Sequence, residues 1–352
     1  MVVVEKDKLS IYFKGEVGDN QSWGISTIGN VQGFLSLNHN VYIEAMNRYG
    51  NVPADIESCL SNTSPDYDVF IRQGLAEHMH ELAHINKQIV RISLSCWDSS
   101  LISEEAAEIH NKHCDGVLAL SEFTRDAFRG MGVNIPIHIG GQGYDESLFY
   151  PEEIRKERPF TFVTVAVAQG RKGTHALINS FEKAFSDNDN VKLIIKSNSW
   201  GSLKDYGVNS KNIEKVYAEY TREELAELYR SCDCFVLPTE GDSFALPGLE
   251  AMASGLPLII TGFGGPRDYC TDETGYRINF NLKDAGYLNG LQAVVDEEHL
   301  VYLLKHVFEN QNEALAKGKN GARIAKEYWT WKKDAERNIS FFKALLAKKG
   351  QI

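Results

Sequence analysis

No apolar stretch in this chain approaches the ~20 residues that a helix needs to span a bilayer. The opening residues, Met1-Val-Val-Val-Glu-Lys-Asp7, place charge where a secretory leader needs its apolar core. A soluble, cytoplasmic protein is therefore expected, with room left for a peripheral membrane contact. Positive charge is also scarce: 37 Lys and Arg stand against 48 Asp and Glu, a formal net charge of −11. Stable nucleic-acid binding is not expected from such a balance, because phosphate backbones require clustered cations. The six cysteines (Cys59, Cys96, Cys114, Cys232, Cys234, Cys270) follow no disulfide or zinc spacing. Cys232 and Cys234 lie two apart on an expected strand, so they share a face and cannot form a tetrahedral knuckle. Buried, reduced thiols are the expectation. Solenoid repeats and low-complexity tracts are absent as well.

What is present fits an α/β protein of two domains, since 352 residues exceed one comfortable core. In the second half the short apolar runs Phe162–Ala168, Lys192–Lys196, Asp233–Leu237 and Leu258–Thr261 read as buried strands. Between them the patterns Thr174–Phe185, Arg222–Ser231 and Pro247–Ser254 read as helices. Continuous apolar strands alternating with amphipathic helices indicate a parallel sheet covered on both faces, with ligands held beyond the carboxyl ends of its strands. The first half repeats the theme at Leu9–Phe13, Asn40–Glu44, Tyr67–Ile71, Ile89–Leu94, Val117–Leu120 and Ile135–Ile139. A Gly-rich segment from Gly15 to Gly33 follows the first of these. Gly140–Glu157 has linker composition, and the tail is expected to be helical from about Glu297, with a last helix near Trp331–Leu346.

The chemistry concentrates in Asp242-Ser-Phe-Ala-Leu-Pro-Gly-Leu-Glu250, read as a loop entering a helix. Pro247 suits the first helical position, where its missing N–H costs nothing. The free N–H groups of Phe244–Leu246 would then point out of the helix start and suit a diphosphate. Asp242 and Glu250 flank that point as acceptors for sugar or ribose hydroxyls. The run Gln169-Gly-Arg-Lys-Gly-Thr174 supplies two adjacent cations after a strand, which a pyrophosphate leaving group requires.

These elements, in this order, resemble the GT-B glycosyltransferases, and specifically glycosyltransferase family 4. The family carries a Glu-x7-Glu element in a run close to Glu-Gly-Phe-Gly-Leu-Pro-x-x-Glu-Ala-Met-Ala-x-Gly-x-Pro. Here Leu246-Pro247, Glu250-Ala251-Met252-Ala253, Gly255 and Pro257 match as they stand. Asp242 replaces the first glutamate, and Ser243-Phe244-Ala245 replaces Gly-Phe-Gly. Gly170, Arg171 and Lys172 resemble the diphosphate clamp, and Gly262-Phe-Gly-Gly-Pro-Arg-Asp268 the Gly-Gly-x-x-Glu turn. Ser121-Glu-Phe-Thr-Arg125 and Gly143-Tyr-Asp145…Phe149-Tyr-Pro151 match the end of the family's first domain and its linker.

The resemblance implies two Rossmann-like domains facing a central cleft. Residues 1–150 would bind the acceptor and 151–330 the nucleotide-sugar donor, with 331–352 a helix crossing back to the first domain. It implies a retaining, metal-independent hexosyl transfer with no cofactor beyond the nucleotide-diphospho-sugar co-substrate. The acceptor would be a glycan, a lipid-linked group or a small molecule. Asp242 would hold the donor sugar; Glu250 would hold the ribose; Arg171, Lys172, Gly170, Ser243, Phe244, Ala245 and Leu246 would surround the diphosphate. The donor's base is expected near Tyr217–Tyr220 and Leu237-Pro238. On the acceptor side Trp97 offers a stacking face and Asp98 an acid that could orient or deprotonate a hydroxyl. The plainer alternative makes Trp97 a core residue and Asp98 a helix N-cap before Glu104. Gly24 would mark a loop approaching the donor phosphate.

Two other classes stay open: a GT-B-type sugar-nucleotide epimerase or phosphorylase, and a catalytically silent nucleotide-sugar-binding module. No lysine context for pyridoxal phosphate is visible. His80-Glu-Leu-Ala-His84 spells a zinc-protease pattern with His78 adjacent and Glu104 or Glu105 as further ligands. No other protease feature accompanies it, and an incidental helix pattern is the expected explanation.

Overall fold

The computed structural model describes residues 7–60, 66–152, 158–167, 170–198 and 207–351. Gln169, the expected strand end at Ala168 and part of the expected linker lie outside the described residues. The chain divides into two compact units, one made of Met1–Gly143, Gly286–Gly290 and Tyr328–Ile352, the other of Tyr144–Ala285 and Leu291–Glu327. Among the described residues no helix is long and apolar enough to cross a membrane, and all six cysteines are free thiols.

The first unit is built on strands β1 (Ser10–Val17), β2 (Asn40–Arg48), β3 (Val69–Leu75), β4 (Val90–Cys96), β5 (Gly116–Ala119) and β6 (Ile137–Ile139). They form one parallel sheet in the order β2-β1-β3-β4-β5-β6. Helices α1 (Ser22–Ser36), α2 (Ala54–Glu57), α3 (Glu104–His113) and α4 (Glu122–Gly130) connect them. The two central strands β3 and β4 are buried except at their carboxyl ends, as parallel strands covered on both faces must be.

The second unit repeats the plan. Strands β7 (Phe160–Val165), β8 (Val191–Ser197), β9 (Ile213–Tyr217), β10 (Cys234–Leu237), β11 (Leu258–Thr261) and β12 (Gly275–Ile278) make a parallel sheet in the order β12-β11-β10-β7-β8-β9. An antiparallel hairpin follows, β13 (Phe280–Asp284) with β14 (Leu291–Val295). The helices are α5 (Thr174–Ala184), α6 (Arg222–Arg230), α7 (Leu246–Ala253), α8 (Glu297–Glu309) and α9 (Gln311–Tyr328). Phe162, Phe181, Leu193, Val236, Ile259 and Leu304 form the middle of its core. The chain runs from β7 outward to β9 and then returns to the other side of β7 with β10. The strand order therefore reverses between β7 and β10, and that crevice is where such sheets hold ligands.

Strands β9, β12, β13 and β14 were not expected from the sequence. Of these, β9 is a sheet edge and β13–β14 a mostly exposed hairpin, so neither carries the continuous apolar run that marked the others.

Helix α10 (Trp331–Lys348) belongs to the first unit and packs on α1. Two glycines make the approach close enough. A methyl group at Gly29 would lie 2.0 Å from the Trp331 ring, and one at Gly33 2.6 Å from the Trp331 carbonyl oxygen. Buried Asp334 accepts hydrogen bonds from Gly141 N (2.8 Å) and Asn338 Nδ2 (2.7 Å), fixing the helix to the loop after β6.

A second buried polar group lies under α3. His110 Nδ1 sits 2.7 Å from the Ala106 carbonyl, so Nδ1 carries the proton and Nε2 accepts from Ser93 Oγ at 2.9 Å. Burial pushes the His110 pKa down to about 4.

Two expectations follow. A Gly→Ala change inside a helix ordinarily stabilises it, but Gly29→Ala should destabilise this protein by about 1–3 kcal/mol in chemical denaturation, because the Trp331 ring has nowhere to go. The second concerns pH. An unfolded histidine takes up its proton near pH 6.5, while folded His110 resists until about pH 4. The unfolded state therefore binds more protons in that window, and stability falls as pH drops from 6.5 to 4. The stability lost over that range should be smaller in His110→Gln than in the unmodified protein, measured by urea midpoints at each pH.

Candidate active site

The residues singled out in the second half meet at the β7/β10 crevice. After β7 the chain makes a 3-10 turn, Gly170–Lys172, and enters α5 through Gly173 in the left-handed conformation (φ 71°). A side chain there would meet the Pro238 carbonyl oxygen at 1.8 Å, so only glycine lets this turn close on the loop after β10. The two loops are then stitched together. Glu240 N donates to Arg171 O (2.7 Å), Thr239 Oγ1 donates to the same oxygen (3.1 Å), and Arg171 Nη1 donates to Gly241 O (2.8 Å). Gly170 is exposed with open space around it.

This stitching sets the Lys172 ammonium directly on Asp242 Oδ2, with Arg171 Nη1 3.8 Å from the same oxygen. Asp242 Oδ1 accepts from Phe244 N (3.3 Å) and Ala245 N (3.0 Å). Burial opposes ionisation of this carboxyl, but Lys172 and then Arg171 outweigh it and hold the pKa below the usual carboxylate range. The expectation that the amides of Phe244 and Ala245 are free for a ligand therefore needs correcting: both donate to the Asp242 side chain. Ser243, Phe244, Ala245 and Leu246 are all buried. Ala245 holds the left-handed conformation (φ 61°, ψ 69°), and the helix begins at Leu246, which puts Pro247 second rather than first.

One support was not legible as functional from the sequence. Buried Tyr269 donates its hydroxyl to Phe244 O (3.0 Å) and Ala245 O (2.8 Å), and its ring packs edge-on against Phe244. The Gly262–Asp268 segment closes from the same side: Gly265 N donates to Asp242 O (2.8 Å), and Gly264 (φ 88°) lies against the Asp242 backbone.

Glu250, one turn inside α7, is 1% exposed and ion-paired with Arg222 at the start of α6 (2.5 Å). Desolvation raises the Glu250 pKa, and the Arg222 charge works against it. The Arg222 guanidinium also lies over the Phe149 ring at 4.9 Å. Its position at the first residue of a capped helix gave no sign of this role, since Thr221 caps α6 in a capping box and surface arginines are common there. Glu240, which sits two residues before Asp242, pairs instead with Lys283 of β13.

The first-unit candidates are placed separately. Trp97 is a core residue, packed with Ile102, Ala106 and Phe128. Its Nε1 donates to Ser99 Oγ (2.8 Å) and Leu288 O (3.1 Å), which removes it as an open sugar-stacking face. Asp98 is half-buried beside it, and the N-cap of α3 is Ser103, not Asp98. Gly24 lies in the first turn of α1, where a methyl group would meet Gly18 O at 2.3 Å, so packing alone demands its glycine. Residues Ala76–His84 form a 3-10 helix, in which positions four apart do not share a face. Glu81 is held by Arg72 and Lys14, and among the described residues no cluster suited to a metal ion exists.

Arg222→Gln should cost about 3 kcal/mol in thermal or chemical denaturation, because it leaves a buried carboxylate without its partner. The double variant Arg222→Gln with Glu250→Gln should regain most of that loss. Equal stability of single and double variants would contradict the pairing.

Residues 147–321 match the family described as glycosyl transferases group 1. The MMP alpha-(1->4)-mannosyltransferase of Mycolicibacterium hassiacum is 24% identical over 217 residues, covering 60% of this chain and 49% of that protein. The chain spans about half the length of the curated relatives it matches. Among solved structures, sucrose-phosphate synthase from Thermosynechococcus elongatus aligns with a TM-score of 0.72 at 15% identity, over 97% of this chain and 100% of that one. Anabaena HepE, solved with UDP and glucose, aligns with a TM-score of 0.72 at 13% identity, over 96% and 100%. Residues 147–321 thus match the glycosyl transferases of group 1, and the two α/β units have the GT-B fold of these solved structures.

Proposed function

We propose that this protein transfers a sugar from a nucleotide-diphospho-sugar to an acceptor hydroxyl, with retention and without a metal. The observation that carries the reading is the convergence of Lys172, Arg171, Asp242 and the start of α7 at the β7/β10 crevice. A departing diphosphate needs positive charge placed where its own negative charge develops. Two cations and a helix N-terminus supply it there. Glu250, one turn inside α7 and paired with Arg222, is assigned to the ribose hydroxyls. Asp242 stands at the sugar end. In a retaining, metal-free scheme a donor phosphate oxygen helps take the acceptor proton, so no glycosidase-type pair of carboxylates is needed. The acceptor is assigned to the first unit, with Asp98 as its candidate acid. Water exclusion would protect the donor from hydrolysis. The match of residues 147–321 to the family supports the donor half of this reading most directly.

The donor should be found by thermal shift with UDP-, GDP- and ADP-sugars. UDP-glucose and the nucleotide-mannose donors come first, given the ligands of HepE and the name of the mannosyltransferase. A true donor at 100 times its dissociation constant stabilises by about 2.7 kcal/mol. Lys172→Ala and Glu250→Ala should each lower donor binding or turnover by about two orders of magnitude. Turnover should survive excess EDTA, and the anomeric configuration of the product should match the donor's. Full activity in both variants would remove the site assignment. Donor binding with neither transfer nor slow donor hydrolysis would favour a silent binding module.

A further inference from the structure

Asp242 carries more partners than an acid waiting for sugar hydroxyls needs. Its Oδ1 accepts from two amides at the start of α7, and its Oδ2 faces Lys172 and Arg171. Those are the groups that suit a diphosphate: the helix-start amides and two cations. The carboxylate occupies an anion site composed of its own neighbours, and its side chain is only 8% exposed.

The two cations are held differently. Arg171 is anchored: its guanidinium donates to Gly241 O, and its carbonyl accepts from Thr239 and Glu240. The Lys172 ammonium has three donor hydrogens, and Asp242 is the partner found for it among the described residues. A lysine on a flexible stem can turn from one anion to another without disturbing the loop that carries it. A diphosphate entering beside Lys172 would also bring its charge up against the Asp242 carboxylate. The carboxylate and the diphosphate therefore cannot both use Lys172 fully.

We propose that Asp242 is a resident counter-anion, which fills the anion site when no donor is bound and yields Lys172 to the donor's diphosphate. The inference rests on the donor-site reading above and makes Asp242 a positioning residue for the two cations. It also accounts for the shorter acid. Aspartate reaches its own helix-start amides two and three residues on, the local hydrogen bonding that this side chain favours. The exchange sets the affinity for the diphosphate, so removing the charge strengthens binding instead of weakening it.

Titration calorimetry with UDP, GDP and inorganic pyrophosphate tests this on the full chain. Asp242→Asn keeps an oxygen for the Phe244 and Ala245 amides but removes the charge. It should bind UDP or GDP, and pyrophosphate, about tenfold tighter than the unmodified protein, equivalent to ~1.4 kcal/mol. Asp242→Glu keeps the charge and should stay within about threefold of the unmodified protein. Adding Lys172→Gln to Asp242→Asn should abolish the gain. Unchanged or weaker binding by Asp242→Asn overturns the proposal. If no nucleotide binds any form but pyrophosphate still shows the gain, the donor reading fails and the counter-anion stands. If pyrophosphate shows no gain either, both fall. Asp242→Ser is the second neutral variant, and loss of fold in both would show that the carboxylate cannot leave the pair, which also overturns the exchange.

Discussion

The ion pair between Lys172 and Asp242 is the contact on which the rest of the site depends. It joins the loop after β7 to the loop after β10, the two strands between which the sheet order reverses. A buried pair of this kind stabilises only if its geometry is good and the remaining lone pairs are used. Here they are. Oδ1 takes two backbone amides, Tyr269 holds the carbonyls of Phe244 and Ala245, and Gly264 and Gly265 close on the Asp242 backbone. Gly173 is the hinge of the arrangement, because no other residue lets the Arg171–Lys172 turn approach Pro238. Fold and chemistry are thus coupled through one carboxylate.

The second acid obeys the same rule. Glu250 sits in a nearly dry position and keeps a cation, Arg222, that comes from outside the Asp242–Glu250 run. Both acids of the motif are therefore partnered before any ligand enters. The motif also tolerates local strain. Ala245 adopts a left-handed conformation that is natural for the glycine of the family pattern and costs an alanine roughly 1 kcal/mol. Its position at the mouth of α7, tied down by Asp242 and Tyr269, is the setting in which such strain persists.

Much of this was legible in the sequence. The ten apolar runs read as strands all correspond to observed strands, and the helices at Thr174, Arg222, Pro247 and Trp331 begin within a residue of where they were expected. Apolar periodicity reports burial, so it misses β9 and β13–β14, where buried residues are few, and it also misses buried β12, whose four residues Gly275-Tyr-Arg-Ile278 make no continuous apolar run. The joint spacing of Arg171-Lys172 and Asp242 pointed to one site because each follows a parallel strand. What spacing could not supply was the identity of side-chain partners. Arg222 and Tyr269 lie 28 and 24 or 25 residues from the groups they hold, and only the packing of α6 and the Gly265–Asp268 turn against α7 brings them there. Of the two readings of Trp97 the plainer one holds: the ring and the N–H of this core residue are both used inside the unit.

The central claim is that the diphosphate of a nucleotide sugar is gripped at the β7/β10 crevice of the second unit. Hydrogen–deuterium exchange with and without a saturating donor reads that location residue by residue. Ligand-dependent protection should concentrate in 170–174 and 242–250, with the Lys172→Ala variant showing little of it. Protection centred elsewhere in the chain, with 242–250 unchanged at saturation, would contradict it.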